Sequence, residues 1–153
     1  MSALENLRTL SGHWSGANLL QDPNVMAPET SKAAATVTPV LGGRFVRVDY
    51  TWAYHGEPQE GSLQVGYDAT DAAFVASWID TWHLGGRIMA CRGGAMAGGG
   101  VSLLGSYAAP PGPDWGWRIT IEPAGANAFR LLMYNITPEG TEELAVEAEY
   151  TRT

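Results

Sequence analysis

The sequence predicts an all-β fold: an antiparallel up-and-down barrel of about ten strands, with a short N-terminal helix closing one end. Three observations carry this reading. Apolar and polar residues alternate with period two through most of the chain after Gly12. The alternating runs are separated by brief turn signals such as Leu41-Gly42-Gly43, Asp68-Ala69-Thr70-Asp71 and Pro138-Glu139-Gly140. The connections are short and successive, without the long return segment of a Greek key, which favours a barrel over a sandwich.

The helix comes first. Ser2-Ala3-Leu4-Glu5 has the form of a capping box, Leu4, Leu7 and Leu10 follow at threefold spacing, and Gly12 ends the segment. Ten strands are expected after it: His13 to Gln21, Ala33 to Val40, Arg44 to Tyr54, Gly61 to Tyr67, Ala73 to His83, Arg87 to Arg92, Val101 to Ala108, Gly116 to Pro123, Asn127 to Ile136 and Glu142 to Arg152. Charge alternation assigns their faces. Arg47, Asp49 and Thr51 point outward, so Val46, Val48, Tyr50 and Trp52 point inward. By the same rule Leu63, Val65 and Tyr67 face inward, as do Trp117, Ile119 and Ile121, and Leu144, Val146, Ala148 and Tyr150.

Composition narrows the function classes. With 153 residues, 45% apolar and 16% charged, the chain fits one domain over residues 1–153 and lacks the polar, highly charged make-up of disorder. No run reaches the ~18 to 20 apolar residues of a membrane-spanning helix, so no membrane partner is expected. Nine basic against sixteen acidic residues give a net charge of −7, which leaves little to neutralise phosphates; nucleic acid is not an expected partner. Cys91 is the only cysteine, so it has no intrachain disulfide partner and no metal-ligand spacing. Met1 to Leu10 does not read as a secretory signal, and the expected location is cytoplasmic.

Gly12-His13-Trp14-Ser15-Gly16, directly after a short helix, is similar to the Gly-x-Trp opening of calycin barrels, the superfamily of lipocalins, fatty-acid-binding proteins and nitrobindins. Leu41-Gly42-Gly43-Arg44-Phe45, Glu60-Gly61, Gly66-Tyr67-Asp68, Trp78-Ile79-Asp80 and Tyr150-Thr151-Arg152 add to it. Together they make nearly the whole chain resemble domain-of-unknown-function family 1579, bacterial lipocalin-like barrels. The resemblance implies a calycin-like barrel of ten strands with a helix at one end, and no established activity. The calycin pattern further implies that Trp14 is covered by a late-strand Arg, here Arg152, with the guanidinium within about 6 Å of the ring. Nitrobindin-like relatives hold haem through a His on the late C-terminal strand. Here Asn18 stands in place of the third Gly of their opening motif and Glu142 to Thr153 contains no His, so neither haem nor any other cofactor is expected.

The most informative strand is Phe74 to His83. Alternation puts Phe74, Ala76, Trp78, Asp80 and Trp82 on one face, with His83 on the other. If the aromatic face is internal, Asp80 is a carboxylate between two indoles. Such a group is either satisfied by an Arg, a Tyr hydroxyl or backbone donors, or is a candidate general acid or base. Three apart on a strand, Asp80 and His83 are not expected to act together, and His83 reads as a surface residue at a strand end. Asp68 and Asp71 bracket a turn too short to supply the oxygens calcium needs, and no metal site is expected. Gly93-Gly94 and Gly98-Gly99-Gly100 lack the Lys-Ser/Thr of a phosphate loop and read as hairpin turns; Cys91 reads as a packing residue.

Three functions follow. The leading one is a binding module that holds a small hydrophobic or amphipathic molecule in the barrel interior among Tyr50, Trp52, Tyr67, Trp78, Trp82 and Tyr107, with Asp80 and Asn135 fixing its polar end. The alternative is a cofactor-free isomerase, cyclase or hydro-lyase using Asp80 as the acid/base. The third is a filled barrel with a structural role, in which exposed aromatics such as Trp115 mediate a homodimer.

Overall fold

The computed structural model describes residues 2–153. One short helix, α1 (Ala3–Arg8), is followed by ten strands: β1 (Gly12–Leu20), β2 (Glu29–Val40), β3 (Phe45–Tyr54), β4 (Glu57–Asp68), β5 (Ala73–Asp80), β6 (Met89–Ala95), β7 (Val101–Tyr107), β8 (Trp115–Pro123), β9 (Ala128–Ile136) and β10 (Glu142–Arg152). Each strand pairs antiparallel with its sequence neighbours, and β1 pairs with β10, so the sheet closes with no free edge. No helix among the described residues is long and apolar enough to cross a membrane.

The period-two pattern builds the core as expected. Val46, Val48, Tyr50 and Trp52 of β3 are buried, as are Leu63 and Val65 of β4, Trp117, Ile119 and Ile121 of β8, and Val146, Ala148 and Tyr150 of β10. Leu144 departs from the pattern. A register irregularity between Leu144 and Val146 buries Ala145 and leaves Leu144 at the barrel rim.

The two ends differ. At one end the Ser2 capping box starts α1, whose Leu7, together with Leu10 just beyond it, is buried. Arg8 donates to the Gly43 carbonyl at 2.6 Å and Asn6 to that of Gly99 at 3.4 Å, tying the helix across two hairpins. Trp14 lies beneath, its indole N–H donating to the Leu10 carbonyl at 2.8 Å and its ring meeting Phe129 edge-on at 4.8 Å. The Arg152 guanidinium lies 4.3 Å from the Trp14 ring centre and donates to the carbonyls of Ser11, Thr9 and Ala126. The pairing implied by the calycin resemblance is therefore present. Gly12 has φ of +131°, and a side chain there would crowd the same guanidinium.

Several boundaries move. β2 starts at Glu29 and β4 at Glu57, each four residues earlier than the alternation suggests, while β6 runs to Ala95 and contains Gly93-Gly94. That pair is strand, not turn. A Cβ on Gly93 would stand 1.7 Å from the Ser102 carbonyl oxygen, so β6 and β7 approach there only because the side chain is absent. Asp68 does form the expected turn, accepting the N–H groups of Thr70 and Asp71. Cys91 is buried packing, and burial pushes its thiol up to about 11. Trp115 is half-buried, not an exposed aromatic.

The largest correction is at β5, which ends at Asp80 three residues before the predicted His83. Asp80 Oδ1 accepts the N–H groups of Trp82 at 2.9 Å and His83 at 2.8 Å, and the Leu84 N–H bonds the Asp80 carbonyl at 3.1 Å. A short polar side chain that captures the next backbone donors turns the chain instead of extending it. Alternation stops there, and His83 folds inward instead of standing on the outer face.

Candidate functional site

Three rows of the sheet converge on Asp80. Tyr50 of β3 is in register with Gly61 of β4, which is in register with Asp80 of β5. A Cβ on Gly61 would stand 2.2 Å from the Tyr50 hydroxyl oxygen; without it, the Tyr50 ring crosses β4 and donates to Asp80 Oδ2 at 2.6 Å. Trp78 Nε1 donates to the Tyr50 oxygen at 2.8 Å, completing a chain from indole to phenol to carboxylate. Burial, with the Asp80 charge and hydrogen bond, holds the Tyr50 phenol well above its ordinary range. Asp80 is buried at 3% exposure with both oxygens engaged. Its immediate task is to shape the turn that carries Trp82 and His83.

Above that turn, at the end opposite α1, is a half-open pocket of about 490 Å³. Its aromatic wall is Trp78, Trp82, His83, Tyr107 and Trp117, with Met89 and Leu84 beside them. Trp78 and Trp117 stack at 5.5 Å with ring planes 10° apart. His83 packs against Trp52, Trp78, Trp82 and Trp117, with ring centres 4.7–5.7 Å apart. Burial lowers its pKa below the usual imidazole value, against the opposing pull of Asp80.

The polar rim is uneven. Asp22 accepts from the Asn24 backbone and the Tyr54 hydroxyl, and these bonds lower its pKa. Tyr107 donates to Asn135 Oδ1. Arg87 and Glu143 complete the mouth. Trp117 Nε1 is buried and has no acceptor. Buried donors are nearly always partnered, and this exception belongs to a residue that lines the pocket.

Of the residues expected to line a ligand site, Trp78, Trp82, Tyr107 and Asn135 do line this pocket. Tyr50, Trp52 and Asp80 lie deeper, around a void of only about 10 Å³ that they share with His83, Asn18 and Tyr150. The rest of the barrel centre holds buried apolar side chains such as Val48, Leu63, Ile119 and Leu131. Tyr67 does not belong to the site: it is 47% exposed and packs on Phe74 beside the β4–β5 hairpin, at the helix-closed end. Its parity is inward, but it stands where the wall runs out. His83 and Trp117 were missed as site residues. For Trp117 the inward parity was visible; for His83 the signal was Asp80 itself, a residue type that ends strands by bonding donors two and three positions on. No cluster of three or more His, Cys, Asp or Glu side chains able to hold a metal occurs among the described residues.

A second concavity, also about 490 Å³, lies on the outer face of β2 to β5, where Thr36, Thr51, Ser62 and Thr81 stand beside the carboxylates of Asp49 and Glu60. Tyr50 is the aromatic residue among its lining, Asp80 borders it too, and it lacks the stacked indoles and the orphan indole N–H of the mouth.

Comparison with known proteins adds a family and a fold. The family described as "Protein of unknown function (DUF1579)" matches residues 2–152. The structure of Rv2717c from M. tuberculosis is 13% identical with a TM-score of 0.65, over 100% of this chain and 98% of that one. The S-type phycobiliprotein lyase CPES from Guillardia theta is 12% identical with a TM-score of 0.67, over 100% of this chain and 93% of that one. At these identities the likeness is one of fold. No curated protein matches.

Proposed function

The chain belongs to the DUF1579 family, and we propose that it is a small-molecule-binding barrel that takes a planar hydrophobic or amphipathic ligand at its open mouth. The observation that carries the reading is the aromatic pocket of about 490 Å³, one of whose lining residues, Trp117, carries a buried indole N–H without an acceptor. Rings of Trp78, Trp82 and Trp117 supply flat apolar area, and Asn135, Asp22 and Arg87 supply polar contacts at the rim. The filled centre moves the ligand outward from the interior position that strand alternation suggests. The likeness to a barrel described as a lyase is one of fold.

Tryptophan fluorescence tests this directly. Titration with a panel of fatty acids, steroids and fused aromatics is expected to quench and shift the emission with at least one class. Trp82→Ala is expected to weaken that binding about tenfold or more, as loss of a buried aromatic contact does. Silence from every class would remove the reading.

A further inference from the structure

We propose that the mouth pocket is also a cofactor-free proton-transfer site, in which the His83 imidazole takes a proton from a carbon beside a carbonyl while Trp117 Nε1–H and the Asn135 amide hold the oxygen that becomes negative. This rests on the ligand-binding reading, since the substrate is a ligand of the same pocket.

The first support is the placement of His83. Its backbone N–H is pinned by Asp80 Oδ1 and its ring is packed by four indoles, so its position is set by the fold. Its ring nitrogens make no hydrogen bond to any described residue. The other two histidines differ: His13 is bonded to Thr36 on the outer surface, and His55 is paired with Glu29. An imidazole with a free lone pair in an aromatic pocket is what carbon-acid chemistry requires of a base.

The second support is a pair of donors without a recorded acceptor, on two residues that line the same pocket. Trp117 Nε1–H has no acceptor, and its ring centre lies 5.4 Å from that of His83. Asn135 has its oxygen occupied by Tyr107, which turns its Nδ2 into the available donor. Donors preset in a low-dielectric pocket stabilise developing negative charge without reorganising.

The charges around His83 set its protonation. Facing it are Asp80 at the end of β5, Tyr50 from β3, Glu143 and Tyr150 from β10, Tyr107 from β7, Asp22 from the loop after β1 and Arg87 from its own turn. Asp80 spends its oxygens on Tyr50 and on the turn. Burial then dominates and favours the neutral, basic imidazole.

The step balances without a co-reactant. In a β,γ-unsaturated carbonyl compound the imidazole nitrogen takes the proton from the carbon between the two double bonds, the C–H electron pair becomes the new C=C bond, and the carbonyl pair moves to oxygen, giving a dienolate. Return of that proton from the imidazolium to the far carbon of the conjugated system re-forms the carbonyl and gives an isomer. The class is a double-bond isomerase of carbonyl compounds, and Asp80 is a positioning residue in it.

The test uses 5-nitrobenzisoxazole, a general probe of buried bases. Removal of its ring C–H proton drives formation of a nitrile, breaks the N–O bond and releases a coloured phenolate. Saturable turnover is expected, lowered about 100-fold or more in His83→Gln and about 10-fold or more in Trp117→Phe. The wild-type rate should fall as the pH is taken below the ordinary imidazole value of 6.5. Near-UV circular dichroism checks that His83→Gln is folded, and the wild-type pH profile needs no variant. A rate no greater than that of free imidazole at equal concentration, or turnover that survives in His83→Gln with the same profile, overturns the inference. Fluorescence quenching by the probe separates the failures: binding without turnover removes only the proton transfer, whereas silence to the probe and to the whole ligand panel removes both.

Discussion

The two ends of the barrel carry tryptophans of similar burial in opposite conditions. At the helix-closed end Trp14 is 1% exposed, its N–H is bonded to Leu10 and its face is covered by Arg152. At the open end Trp117 is 7% exposed, stacked on Trp78, with its N–H unmatched. One end is finished from within the chain; the other holds an indole N–H without an acceptor. A fold that satisfies its polar groups throughout gains stability, so an end that does not is the place to look for work done on another molecule.

The sharpest way to break this comparison is at the closed end. Trp14→Ala removes a fully buried ring that contacts Phe129 and Arg152, and about 3–5 kcal/mol of stability should go with it, lowering Tm by roughly 10 °C. Thermal unfolding followed by circular dichroism measures it. A loss under about 1 kcal/mol would mean that the closed end is not the stabilising one.

Asp80→Ala comes next. It strips partners from the buried Tyr50 hydroxyl and from the N–H groups of Trp82 and His83, at a cost of about 3 kcal/mol. Because the turn then loses its anchor, ligand-induced fluorescence change should fall with stability. Retained binding in a destabilised Asp80→Ala protein would separate the turn from the pocket.

A pair of conservative changes sharpens the contrast by sign. Trp14→Phe leaves the Leu10 carbonyl without its donor and should cost about 1–2 kcal/mol beyond the lost ring area. Trp117→Phe removes a donor that has no acceptor, and should leave the unliganded protein unchanged or up to about 1 kcal/mol more stable while weakening ligand binding. Chemical denaturation of the two variants side by side decides it. Equal losses would erase the distinction between the ends.

The smallest effect is in pH. The folded state binds the His83 proton less tightly than the unfolded chain, so stability from this group is complete above the unfolded value near 6.5 and declines as the pH falls from there to the lowered folded value. Tm should therefore drop more steeply below pH 6.5 in the wild type than in His83→Gln. Parallel curves would show that His83 titrates as an exposed imidazole does.

Much of the fold was legible in the chain because the signals behind it are local. A side chain every second residue points the same way, so Val46 to Trp52 and Trp117 to Ile121 were assigned to the core from alternation alone. The Gly12-His13-Trp14 opening and Arg152 announced the closed end through the family pattern, 138 positions apart as they are. Parity failed where the barrel wall failed: Tyr67 has inward parity but lies at the rim. It failed again after Asp80, where a side chain bonding to backbone donors ended the strand and reversed His83.

Alternation and turn chemistry thus determined the class of fold, the number of strands and which face of each is apolar, because those follow from backbone geometry over a few residues. Which rings meet was decided by closure. Trp78 on β5 and Trp117 on β8 stack across the mouth, and His83 comes to lie among four indoles drawn from β3, β5, the turn after it and β8. Registers between neighbouring strands and the curvature of a closed sheet set those contacts, and neither is encoded within any one strand.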